Sequence, residues 1–463
     1  MAVAPNSPAA RDIAHVLHPT TELKGHRERG PLVVERGEGI YVYDDTGRRY
    51  METTAGAWCL SLGYGDNELA EVAAEQMRKL GYASGFFGRS AVPVIDLAEK
   101  LTQVVPFKNL TKVFFLASGS EANDTQVKLL WYYNNAVGRP RKKKIISRMK
   151  AYHGSTWLAA SLTGLPQFHN DWDAPAPHIL HTDCPHHYRF AQPGESEEAF
   201  ATRLADSLEA LIQREGPDTV AGFIAEPVMG AGGVFIPPKT YYEKVQAVLK
   251  RYDALFIADE VITGFYRTGR MFGCETMGIK PDTMTMAKAL SASYQPIAAV
   301  MIPEYMYDVL VEQSAKHGLF GHGYTYGGHP VAAAVALRTL EIYERRNMLG
   351  HVQKVSRRFL ERLKALADHP LVGEATGIGL MGAVELVADK KTKRPFPVAK
   401  KVGAYCSGRS LEHGLVGRNI GDRMAFSPPL VITAAEIDDM FDRFEKALDE
   451  TAAWVEKEKL RAA

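Results

Sequence analysis

Cysteine is scarce in this chain, and the four present, Cys59, Cys184, Cys274 and Cys406, stand far apart with no CxxC pair. That excludes a disulfide framework and fits reduced thiols, each read most simply as a small buried hydrophobe. Net charge is nearly absent as well, at +1 over 463 residues, so neither nucleic acid nor an anionic membrane is an expected partner. No apolar run approaches the roughly 18 residues of a membrane span. Met1 to Pro19 lacks the basic-then-apolar order of a secretory signal, and internal repeats and low-complexity tracts are missing. What is present is the composition of a soluble enzyme with a sizeable core, 46% hydrophobic and 24% charged. Its length allows about two to three domains. A cytoplasmic location is the expectation.

The pattern along the chain divides it into three stretches. Residues 1–60 read as an arm followed by a hairpin, with alternation from Gly39 to Tyr50 and a turn at Asp45-Thr46-Gly47. Residues 61–328 alternate apolar strand-like runs with amphipathic helical ones, the strands including Lys112–Leu116, Lys144–Ser147, Val220–Ala225 and Ala254–Ala258. Near-continuous apolar strands separated by helices predict a parallel sheet buried on both faces, with a ligand site at the carboxyl ends of its strands. Residues 329–463 change to long helices, a short mixed section and a terminal helix ending near Leu460, a smaller α+β domain. The basic run Arg139–Lys144 contains a proline and reads as a solvated loop.

Chemistry concentrates at the predicted strand ends. Asp259 closes the run Ala254–Asp259, and Lys288 stands alone in the apolar context Thr285-Met286-Ala287-Lys288-Ala289-Leu290. Pyridoxal phosphate (PLP) chemistry needs such a pair: an amine to form a Schiff base with the cofactor aldehyde, and a carboxylate to keep the pyridine nitrogen protonated. Ser118-Gly119-Ser120-Glu121 follows another strand with capping-box spacing, and there the exposed N–H groups of a helix start could hold a phosphate or simply begin a capped helix. Tyr152-His153-Gly154 offers an aromatic face for stacking or plain core packing, and Glu226-Pro227 ends the strand before the one that ends at Asp259. Gly321 to Pro330 is rich in glycine and aromatics, with Thr325 a candidate phosphate ligand or part of an interdomain loop. Arg418, after Gly417, could grip a carboxylate with two hydrogen bonds or be a surface charge.

Taken together and in order, Ser118 to Asn123, Tyr152-His153-Gly154, Glu226-Pro227, Asp259-Glu260-Val261, Lys288 and Thr325 to Pro330 resemble the class III (ω) aminotransferases, fold type I PLP enzymes. His15 to Pro19, Trp58-Cys59, Lys288 to Tyr294, and Arg418 with Ser427-Pro428-Pro429 are similar to the amine:pyruvate branch. The likeness runs from about Leu17 to the last helix. It implies a large PLP-binding domain with a mostly parallel sheet flanked by helices, plus a smaller α+β domain. It also implies that Gly119, Ser120 and a partner subunit's copy of Thr325 hold the phosphate, with His153, Glu226 and Val261 also around the cofactor. Tyr152 would stack on the ring, Asp259 pair with its nitrogen, and Lys288 serve as Schiff-base lysine and proton shuttle. Trp58, Phe86, Tyr152 and Ala231 would line the substrate pocket, and Arg418 would bind the carboxylate of pyruvate or alanine. A shared site implies at least a homodimer, with a tetramer left open. The implied reaction is ping-pong transfer of an amino group from a primary amine to pyruvate. Other class III branches, using 4-aminobutyrate, β-alanine, taurine or polyamine donors and 2-oxoglutarate as acceptor, form the alternative.

Three departures bear on substrate: Thr20 and Tyr324, where other residues are common, and Tyr266 in place of a usual glycine in Gly264–Gly269. Two further motifs point elsewhere. Gly377-Ile378-Gly379-Leu380-Met381-Gly382 spells the dinucleotide fingerprint but continues as a strand where a helix is required. His178, His181, Cys184, His186 and His187 look metal-like but sit in a proline-containing loop, and no metal is expected.

Overall fold

The computed structural model describes residues 4–461; the extreme ends of the first and last predicted stretches, 1–3 and 462–463, lie outside the described residues. After two short helices, Pro8–His15 and Leu23–Arg29, comes a small sheet of β1 (Val34–Glu38), β2 (Tyr41–Asp44) and β3 (Arg49–Glu52). The predicted turn is there: Gly47 has φ +83°, a left-handed conformation that costs glycine nothing. Asp44 accepts hydrogen bonds from Thr46 N, Arg48 N and Tyr50 Oη across that turn.

The central sheet contains β4 (Leu110–Leu116), β5 (Lys144–Arg148), β6 (Ile179–Thr182), β7 (Val220–Ala225), β8 (Leu255–Asp259), β9 (Thr283–Met286) and β10 (Ala298–Pro303). Their spatial order is β4-β10-β9-β8-β7-β5-β6. Only β10 runs against its neighbours, pairing antiparallel with both β4 and β9. β7 and β10 are buried at every residue, as strands covered by helices on both faces must be. Because β4, β5, β7, β8 and β9 all point the same way, their carboxyl ends open on one edge of the sheet.

The third region holds β11 (Val372–Ile378), β12 (Met381–Leu386), β13 (Leu415–Val416), β14 (Arg418–Ile420) and β15 (Arg423–Phe426), with the helices Met348–Ala365 and Ala434–Lys457. β11, β12, β15 and β14 form an antiparallel sheet, whereas β13 leaves it to pair in parallel with β3. The arm hairpin is therefore stitched to the C-terminal region by backbone hydrogen bonds. The apparent dinucleotide fingerprint spans the tight turn of the β11–β12 hairpin, which joins strand to strand.

Candidate active site

Five loops leave the shared sheet edge, and each brings a residue to one cavity of ≈ 330 Å³. Gly119 and Ser120 follow β4, Tyr152 and His153 follow β5, Glu226 follows β7, Asp259 ends β8 and Lys288 follows β9. Sheet topology, rather than closeness in sequence, makes them neighbours.

The β4 loop enters the helix Gly119–Ala136 through the predicted capping box. Glu121 N donates to Ser118 Oγ at 3.2 Å, and Ser118 N to Glu121 Oε2 at 3.1 Å. The amides of Gly119 and Ser120, first in the helix, have no intrahelical acceptor and form a positive end. A Cβ on Gly119 would stand 3.2 Å from both Val261 methyls, and one on Gly154, at φ +136°, would stand 2.5 Å from Ser120 Oγ. Glycine keeps both walls thin enough for a phosphate-bearing group.

Asp259 is held on one side and open on the other. Its Oδ2 accepts from Asn123 Nδ2 at 2.8 Å and lies 2.7 Å from His153 Nδ1, while Oδ1 accepts only from Val261 N at 3.1 Å. Asn123 also donates to His153 O at 2.7 Å, so the carboxylate and imidazole are fixed together. Oδ1 keeps a lone pair for a protonated ring nitrogen. Glu226 receives Tyr152 N at 3.0 Å and Gly230 N at 2.9 Å, and burial pushes its carboxyl pKa up.

Lys288 has φ +49°, a strained conformation for a residue with a side chain, and opens the one-turn helix Lys288–Ser291. Its amine makes no hydrogen bond or ion pair among the described residues, and the residue lines the cavity. Desolvation lowers its pKa, opposed by the nearby Cys59, Asp259 and Glu226 and aided by Arg418. A lysine whose pKa burial lowers, and which has no partner among the described residues, fits an aldehyde ligand, and with the open Asp259 oxygen and the free helix amides the donor set fits PLP.

The other sequence-predicted residues lie elsewhere. Trp58 is 2% exposed and packs with Val228, Val234 and Ile262. Its neighbours Ala57 and Cys59 line the cavity instead. Ala231 is buried beyond the cavity wall. Arg418 sits half-buried on β14 with no partner among the described residues, and burial lowers its pKa while Tyr152 opposes this. Phe86 and Tyr324 line a second, larger cavity of ≈ 790 Å³, and Thr325, next to it, is exposed. Thr20 is exposed on the arm at φ +49°. Tyr266 adopts φ +76° and packs edge-on against Tyr343 at 5.7 Å, which explains why glycine suits that position.

Two residues escaped the sequence reading. Asn123 was visible in the motif, but its bond to Asp259 is a long-range contact that no local pattern announces. Cys59, read as a buried hydrophobe, instead lines the cavity next to Lys288. Of the histidine-rich stretch, only His186 joins a potential ligand group, with Glu374 and Glu385.

Comparison with known proteins gives a consistent result. Residues 24–448 match the family model of class-III aminotransferases. A Solanum lycopersicum protein, gamma aminobutyrate transaminase 3, chloroplastic, is 53% identical over 427 residues, 92% of this chain and 82% of its own. An Oryza sativa subsp. indica protein, gamma-aminobutyrate transaminase 1, mitochondrial, is 53% identical over 421 residues, 91% of this chain and 82% of its own. A solved ω-transaminase from Pseudomonas jessenii in complex with PMP superposes at TM-score 0.95 with 51% identity, covering 97% of this chain and 99% of that one. The chloroplastic and mitochondrial relatives overturn the expectation of a cytoplasmic location. Reduced cysteines and balanced charge describe any reducing compartment and do not single out the cytoplasm.

Proposed function

This chain belongs to the class-III aminotransferases, PLP-dependent enzymes of fold type I, and from that premise we propose that it takes the terminal amino group of a short ω-amino acid of the 4-aminobutyrate type and passes it to pyruvate, giving alanine. The observation that carries this reading is Arg418, a half-buried guanidinium with no acidic partner, close enough to the cavity to depress the Lys288 pKa. An unpaired arginine beside an amine-handling lysine suits substrates with one carboxylate and one reacting carbon. The names of the two plant relatives support the donor. Uncharged primary amines form the second reading, supported by the ω-transaminase neighbour.

PLP supplies the aldehyde that receives the amino group and a protonated ring that absorbs the electrons released at the donor carbon. Gly119 and Ser120 would hold its phosphate with their amides, Tyr152 and Val261 would enclose its ring, and Asp259 Oδ1 would hold its nitrogen. Lys288 Nζ would remove the proton from the amine-bearing carbon of the donor and return a proton in the other half-reaction. Arg418 would bind the carboxylate of donor and acceptor in turn. The exposed Phe86 and Thr325 would meet the corresponding cavity of a second copy, making the working unit a homodimer.

The test measures single half-reactions of wild type and Arg418→Ala with 4-aminobutyrate, an uncharged primary amine, pyruvate and 2-oxoglutarate. A charge-assisted carboxylate contact is worth about 1.5–3 kcal/mol. The variant should therefore lose about 10- to 150-fold in kcat/KM for 4-aminobutyrate and for pyruvate, and little for the uncharged amine. Equal losses on all donors would remove Arg418 from this role, and a wild-type preference for 2-oxoglutarate would remove pyruvate.

A further inference from the structure

Far from the histidine-rich loop, three ligand-type side chains converge in the N-terminal arm. Asp12 lies on the helix Pro8–His15, His26 on the helix Leu23–Arg29, and His18 on the segment between them. His18 Nε2 is 2.8 and 2.9 Å from the two Asp12 carboxylate oxygens. His26 Nε2 approaches Asp12 Oδ1 to 3.1 Å, yet it is buried and makes no hydrogen bond. The His26 side chain is only 9% exposed, against 26% for His18 and 21% for Asp12. The two imidazole rings lie side by side, 4.2 Å between centroids with a 40° tilt.

Protons alone satisfy this arrangement poorly. Oδ1 is approached by both Nε2 atoms. His18 Nε2–H can donate to Asp12, but an Nε2–H on His26 is misdirected for Oδ1 and makes no hydrogen bond, while a bare His26 lone pair would face a carboxylate oxygen. A divalent cation between the three groups removes both conflicts. Two imidazole nitrogens and a carboxylate are a common zinc donor set, leaving one position for water on the open side. Tetrahedral coordination at about 2.0–2.1 Å puts donor atoms about 3.3 Å apart, so a slight opening of the observed contacts suffices.

The cluster of His186, Glu374 and Glu385 also brings imidazole and carboxylate together, but its cations are already supplied. Arg423 Nη1 lies 2.6 Å from Glu374 and 2.5 Å from Glu385, and Arg189 also pairs with Glu385, so two guanidiniums already balance the two carboxylates. Among the described residues, no arginine or lysine makes such a contact with Asp12.

We propose that Asp12, His18 and His26 form a zinc site that clamps the two arm helices together and fixes the turn His18-Pro19-Thr20 between them. Closing this loop with a metal removes conformational freedom from an arm that is otherwise largely exposed.

The experiment uses tag-free, PLP-loaded enzyme, stripped with a chelator and dialysed against zinc, with metal per chain counted by plasma mass spectrometry. Wild type should hold about one zinc per chain, and His26→Ala and Asp12→Ala should lose it while keeping the bound-PLP absorbance of a folded protein. Zinc should slow tryptic cleavage at Arg27 and Arg29 in wild type and leave both variants unprotected. Cobalt(II) in place of zinc should give the intense visible bands of a four-coordinate nitrogen and oxygen site, a readout on wild type that needs no variant. Substoichiometric zinc in wild type, unchanged zinc in His26→Ala, or the weak spectrum of hydrated cobalt would each overturn the site.

Discussion

The cavity around Lys288 and the larger one beneath Phe86 and Tyr324 are built from different materials. The first is walled by loops that leave strand ends within one sheet, so each wall is anchored by ladders of backbone hydrogen bonds. Its polar groups bond to one another, with Asn123, His153 and Val261 all directed at Asp259. The second is walled mainly by the loops 83–91 and 319–328, rich in glycine and aromatics, with Val113 to Phe115 of the edge strand β4 behind them and with Phe87 84% and Tyr326 65% exposed. Exposed aromatics gathered in this way are what the proposed second copy would cover. The proposed chemistry sits on the rigid region, and most of the residues proposed to select or complete the substrate site lie outside it, on loops, the arm and the short strand β14.

The comparison can be broken from the rigid side first. Lys288→Ala should reduce turnover by about 10⁴-fold or more while the folded protein still binds PLP, because it removes both the attachment point and the proton carrier. Activity within tenfold of wild type in steady-state assays would refute the assignment. On the open side the effect should be smaller. Thr325→Val would take one hydrogen bond, about 1 kcal/mol, from the phosphate held by a second copy, lowering PLP affinity by about fivefold. Unaltered PLP release on dilution would detach the larger cavity from the active site.

The smallest effect links the two. PLP attachment to the apo-protein needs the neutral lysine amine, and burial lowers the Lys288 pKa, so attachment should proceed at a lower pH than with free lysine. Arg418 aids that lowering, so Arg418→Ala should raise the Lys288 pKa and move the attachment profile to higher pH. Asp259 opposes it more strongly, so Asp259→Asn should move the profile further, in the other direction. Absorbance-monitored loading across pH checks both signs, and a profile indifferent to either change would mean that the charges do not sense one another.

The rigid region was readable because its signals are local. β4, β5, β7 and β8 are apolar runs, and Ser118 with Glu121 carries a capping box at the expected spacing. β6 and β9 were harder. β6 is short and sits among histidines, where burial drives the His181 pKa down to about 4 and the ring stays neutral. β9 alternates threonine with methionine and gains its burial from β8 and β10 on either side and from the helix Gly119–Ala136 packed on it. The parallel pairing of β13 with β3 joins segments more than three hundred and fifty residues apart, and nothing in either segment announces the other. Residues such as Trp58, Phe86 and Tyr324 gave no local sign of which cavity they would face, because that depends on how distant loops meet.

The β13–β3 pairing also has a mechanical meaning. Arg418 begins the strand two residues after β13 ends, so the strand that carries it is tied at its root to the arm hairpin and along its length to β15. A shift of the arm hairpin therefore reaches the Arg418 backbone through a short parallel ladder of hydrogen bonds. Changes in the arm that leave every atom of the Lys288 cavity untouched would then retune the proposed grip of Arg418 on a carboxylate.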